Sequence, residues 1–302
     1  MKVFKALASG FCKTVKAWKG ILLIWIGSLL TVSLVAIPFK AFLQSALGGS
    51  MITERLKDGI DIEVLGDIGS GFRNLMSSLP AGLFMLILTG ILLGAFLNGG
   101  IFDSLKASGG KFSFSGFFRA SSKNFWPFLL ISVIVNAMIY FISVIIIGLP
   151  LVIAVNGGSG SEKIPMITAA LSFSLFFLLS MLFILTADYA RAWHAAQDRQ
   201  APFKALGFGF SRTFGTFLSS FPMMLLLSLV ITLFTFLVMK VMTGWIPSSG
   251  GGVFLLFIIS QLLFFVKSAL KVWRYGSVTA LKELNDNKDK TTTEIINQPV
   301  LA

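Results

Sequence analysis

The sequence has few of the residues that build most active sites and most water-facing surfaces. Among 302 residues it has one cysteine, Cys12, one histidine, His194, and only 13% charged residues. A lone cysteine excludes an intramolecular disulfide and a cysteine-rich zinc site, and it reveals nothing about redox compartment. There is no HExxH helix, GxSxG elbow or GxxxxGK[ST] phosphate loop. Soluble domains are about a quarter charged. With 55% hydrophobic residues, this chain has too little polar material to coat a soluble fold. The bilayer is the expected solvent.

What the sequence does have is long apolar runs. Crossing about 30 Å of hydrocarbon takes about 20 helical residues. Runs of that length fall near 20–42, 79–101, 127–155, 165–187, 217–243 and 252–272. β-Barrel strands would instead alternate over about ten residues. Leu83–Leu97 and Phe254–Val266 are apolar on every face, so helices are predicted. The first run follows a basic leader and ends at Ile37-Pro38 without a small-x-small site, which reads as an uncleaved anchor rather than a secretory signal. The expected fold is an all-α integral membrane protein: a six-helix bundle in one transmembrane domain, 1–284, with a disordered polar tail at 285–302.

Cytoplasmic loops carry the excess of Lys and Arg. Of the 25 basic residues, nineteen lie in 1–19, 99–124, 187–216 and 266–302. Six lie on the other side: Lys40, Arg55, Lys57, Arg73, Lys163 and Lys240. Both termini are therefore expected in the cytoplasm of a bacterial inner membrane. The net charge of +12 flanks the spans rather than forming a separate domain, so the expected partner is an anionic leaflet and not nucleic acid. The outer segment 43–78 carries Glu54, Asp58, Asp61, Glu63 and Asp67, whose spacing does not match an EF-hand, so no metal is expected there. Met51–Leu56 and Ser70–Leu79 are expected to form short amphipathic helices.

A repeat precedes the first, third and fifth spans. Residues 4–13 read FKALASGFCK, 110–119 read GKFSFSGFFR and 203–212 read FKALGFGFSR. They share Lys5, Lys111 and Lys204; Gly-Phe at Gly10, Gly116 and Gly209; and a base at Lys13, Arg119 and Arg212. Phe4, Leu7, Phe11, Val15 and Trp18 share one helical face. Such a helix lies in the interface, with aromatics at headgroup depth and bases near lipid phosphates. The chain then reads as three parallel copies of in-plane helix, outward span and inward span. The six repeated bases are its lipid-interface candidates.

Polar groups within or beside the spans are few: Asn98, Asn136, Tyr140, Asp188, Arg191, His194 and Gln261. Asp188 and Arg191 sit at i, i+3, and His194 and Asp198 at i, i+4, both spacings that allow pairing. Asn136 and Gln261 are expected to bond between helices, and Gly90 and Gly94 to let two helices pack closely inside the bundle. No buried carboxylate or metal cluster marks an ion path or a catalytic site, and no cofactor is expected.

The six-span plan with GF-x-[KR] elements resembles poorly characterised bacterial membrane families, including the membrane domain fused to some glycerophosphodiester phosphodiesterases. The resemblance implies a multi-span helical fold. No phosphodiesterase domain is present, and no functional residue is carried over. The first expectation is a non-enzymatic component that handles lipid or a small solute, or scaffolds a protein partner. The alternatives are a lipid-modifying enzyme using Asp103, Asp188, Arg191 and His194, and a secondary transporter in which Asn136 contacts solute.

Overall fold

The computed structural model describes residues 2–47, 70–106, 112–156, 163–197, 201–245 and 249–296. Regular structure among them is helical throughout: α1 Lys2–Lys16, α2 Trp18–Leu47, α3 Ser70–Ser104, α4 Phe114–Ser143, a π-helical turn Val144–Gly148, α5 Leu149–Asn156, α6 Lys163–Ala196, α7 Pro202–Gly215, α8 Phe217–Gly244 and α9 Gly250–Ile296. Five helices are long and apolar enough to cross a membrane, and a sixth span results if the bent pair α1 and Trp18–Leu34 counts as one. The amphipathic Met51–Leu56, the acidic cluster of the outer segment, Lys111 and Asp198 lie outside the described residues.

Several boundaries differ from those read in the sequence. Ser70–Leu79 is not a separate surface helix but the first turns of α3. The third span begins at Phe114, so the middle repeat element and its span form one helix. Ser113 caps that helix by accepting from the Gly116 N–H at 3.4 Å. The π turn precedes Pro150, which has no N–H to return to the helix, and the widened turn absorbs the mismatch. The disordered tail does not start at 285, because α9 continues to Ile296.

The chain divides into two compact units: Met1–Leu23 with Ala95–Ala302, and Ile24–Gly94. In the second unit, Ser28 and Thr31 return their hydroxyls to the carbonyls of Ile24 and Gly27, which hides them in an otherwise apolar helix. Gly90 and Gly94 meet no atom within 4 Å among the described residues, so the expected close helix contact is not made there.

The first unit has two adjoining cores. One joins Ala6 and Leu7 of α1 to Met181, Leu185 and Tyr189 of α6, Met223, Met224 and Leu227 of α8, and Val278 and Leu281 of α9. The other joins Ala205 and Leu206 of α7 to Ile131 and Val135 of α4 and Ala187 and Ala190 of α6. In both cores the short helix contributes the Ala-Leu of its FKAL. Leu7 and Leu206 are both nearly fully buried, at 6% and 7%.

Helices α1 and α7 match position for position over a spacing of 199 residues. Each buries the same set: Ala6, Leu7, Gly10 and Thr14 in α1, and Ala205, Leu206, Gly209 and Thr213 in α7. Each ends at the same place, Ala17 and Thr216. There the Ala17 N–H donates to Lys13 O and the Gly20 and Ile21 N–H groups donate to Ala17 O; Thr216, Ser219 and Ser220 repeat the pattern on Arg212 O and Thr216 O. Across the first break the chain turns by 73°. Phe4 and Phe203 stay exposed, at 71% and 70%.

Candidate functional site

Glycines set how closely the short helices approach their neighbours. A Cβ on Gly10 would lie 2.5 Å from the backbone N of Ser277 in α9, and one on Gly209 would strike the Thr186 carbonyl of α6. Small residues answer from the other side: Gly276 faces Gly10 O, and Ala190 faces Gly209. The middle element reverses this arrangement. Among the described residues Gly116 meets only Ser113, while buried Phe117 takes the contact and Gly100 of α3 gives way, a Cβ there falling 2.6 Å from the Phe117 ring. The burial stripe of α4, Phe117, Ala120, Ser121, Asn124 and Phe128, keeps the position of Thr14 and Thr213 at Ala120 but puts Phe117 in the place of the aligned glycine.

The bases of the repeat divide into two groups. Lys5, Arg119 and Lys204 are exposed. Lys13 and Arg212 instead bind the far part of α9, Lys13 to Glu283 at 2.6 Å and Arg212 to Asp286 at 2.9 Å, with Lys282 also on Asp286 at 3.1 Å. Acids on α9 thereby tie both short helices to one rod. These pairs reach Asp286, in the polar segment over which α9 runs on to Ile296.

The densest polar arrangement lies more than two helical turns before those contacts on α9. Asp188 of α6 is fully buried, and both of its oxygens are engaged: Oδ1 accepts from Arg191 Nη1 at 3.1 Å and Oδ2 from Arg274 Nε of α9 at 2.8 Å. Arg191 Nη2 donates to Ser132 Oγ of α4 at 3.0 Å, and Ser132 donates onward to Phe128 O at 2.7 Å. One carboxylate therefore links three helices. One turn along α6, buried His194 lies edge-on to Phe128 at 5.9 Å. Phe128 meets Phe102, Phe102 meets Tyr275, and the Arg274 guanidinium covers the Tyr275 ring at 5.1 Å. An aromatic chain thus runs from Arg274 to His194.

Asp188 and Arg191 pair as their spacing suggests, and Asn98 is buried. Asn136 and Tyr140 are exposed, and Asn136 donates to its own helix at Ser132 O, 2.8 Å away, not to another helix. The Gln261 amide reaches only the adjacent Ser260, at 3.5 Å, and its Oε1 is buried without a partner among the described residues. Asp103 pairs with Lys106. Among the described residues no group of three or more His, Cys, Asp or Glu is placed to hold a metal.

Arg274 was missed because 86 residues separate it from Asp188. A second internal match contains the signal. Asp188-Tyr189-Ala190 aligns with Arg274-Tyr275-Gly276, and Asn98-Gly99-Gly100 shares with them a polar first residue and a small third one. Both tyrosines are fully buried; Tyr189 bonds to Ser220 at 3.1 Å.

A scan against protein-family models, a search of curated proteins and a search of solved structures each found no match to this chain.

Proposed function

We propose that this chain is a six-span, non-enzymatic protein of the bacterial inner membrane, with both termini cytoplasmic, and that its repeated basic and aromatic helices hold anionic lipid at the inner leaflet. The three repeats each supply an in-plane element followed by two spans. The observation that carries this reading is the matched pair α1 and α7, which bury the same four positions and leave Phe4, Lys5, Phe203 and Lys204 outward. A Phe beside a Lys at the edge of a membrane bundle suits acyl chains below and phosphates above. Lys13 and Arg212, which are ion-paired to α9, hold the collar together rather than contact lipid. Full engagement of Asp188 weighs against its use as a general base.

The test is mass spectrometry of lipids that copurify in mild detergent. The wild type is expected to be enriched in anionic lipid relative to bulk membrane, and Lys5→Gln with Lys204→Gln should reduce that enrichment while melting normally. Equal lipid profiles for the two proteins would refute the collar.

A further inference from the structure

The Asp188 cluster is built as more than a brace. Two guanidinium groups meet one carboxylate, leaving a formal charge of +1 in a packed helical bundle. Isolated charge in such surroundings is strongly disfavoured unless an opposite charge joins it. The charges are also arranged in depth. The Asp188 side chain has no exposure, whereas those of Arg191 and Arg274 retain 10% and 15%. The carboxylate is enclosed and the cations keep a little exposure.

Donors remain at the same place. Arg191 Nε and His194 Nδ1 are buried and have no hydrogen-bond partner among the described residues. Both residues face α4 from adjacent turns of α6, Arg191 through Ser132 and His194 through Phe128. Asp188 fixes the two guanidinium planes from behind, so their ordering is complete before any ligand arrives. Lys106 and Lys123 add positive potential around His194.

We propose that Arg191, Arg274 and His194 form a binding site for a single phosphoryl group, with Asp188 as the residue that positions both arginines. Planar guanidinium forks match phosphate oxygens in pairs, which a lysine does not do. The phosphoryl group has two sources, a lipid headgroup or free phosphate, and the chemistry is the same for both. The site is separate from the exposed lysines, so it stands or falls independently of the collar.

The full chain in detergent would be titrated with inorganic phosphate, following its melting temperature. In parallel, native mass spectrometry would count dioleoylphosphatidylglycerol retained over dioleoylglycerol, a neutral lipid with the same chains and no phosphoryl group. Saturable stabilisation by phosphate, weakened roughly tenfold or more by Arg191→Gln, supports a site open to free phosphate. Retention of one phosphatidylglycerol that Arg191→Gln abolishes, without a phosphate effect, supports a headgroup site. Should Arg191→Gln not fold, His194→Gln and Arg274→Lys, which leave the Asp188–Arg191 pair in place, are expected to weaken the same binding. Lys5→Gln with Lys204→Gln should leave it unchanged. No preference for either anion over the neutral lipid, or binding unaltered in the folded variants, overturns the proposal.

Discussion

The first and last repeat elements fold as twins, and the middle one does not. In α1 and α7 the glycine sits on the short helix and small residues answer it, Gly276 and Ser277 of α9 and Ala190 of α6; in α4 the bulk is Phe117 and the glycines are Gly99 and Gly100 of α3. Either arrangement brings two helices together, because a glycine at the contact removes a side chain that would hold them apart. The placement of the glycine has a further consequence. Where it lies on the short helix, the chain breaks at Ala17 or Thr216 before the span begins; where it lies on the preceding span, the helix runs on unbroken from Phe114 to Ser143. The same split holds for the polar residues of the three matched triplets, where Asn98 is neutral and Asp188 and Arg274 form an ion pair.

Substitutions sharpen this contrast. The largest expected effect is at Asp188→Asn, which leaves two guanidinium groups uncompensated and should destabilise by about 3–5 kcal/mol. Asn98→Ala at the equivalent place should cost about 1 kcal/mol; both are read as shifts in unfolding midpoint in detergent. Next in size are Gly10→Val and Gly209→Val, which drive side chains into the backbone of α9 and α6 and should each cost about 1–3 kcal/mol. Gly116→Ala, which meets no such obstacle, is expected to be neutral or to stabilise by up to about 1 kcal/mol. Loss on Gly116→Ala equal to that on Gly209→Val would erase the distinction. The smallest effects belong to Lys13→Gln and Arg212→Gln, each about 0.2–1 kcal/mol. Hydrogen exchange would show these as faster opening of α9 beyond Glu283.

Much of this is legible in the sequence. Apolar run length predicts the long helices, and the FKAL and Gly-Phe matches mark the short ones, because a recurring contact needs recurring small and apolar residues. What the linear pattern hides is the partner across each contact. A gapless alignment equates Gly116 with Gly10 because it cannot register that Phe117 has exchanged roles with Gly100. The polar stretch from Asn285 reads as disorder, since its helicity depends on Lys13 and Arg212 more than 70 residues away in sequence. Asp188 and Arg191 are visible as neighbours on one helix. Arg274 becomes visible only when the ends of α6 and α9 are aligned on their Tyr-small pairs.

Cys12 and its counterpart Ser211 occupy equivalent places on α1 and α7. They permit the most direct test of the claim that these are twin helices lying in one leaflet. A fluorophore on Cys12, or on Ser211→Cys in a Cys12→Ser background, would be quenched by lipids brominated at known depths in reconstituted vesicles. The account predicts the same shallow, headgroup-level depth for both positions. Two different depths, or a probe in open water at either site, would contradict it.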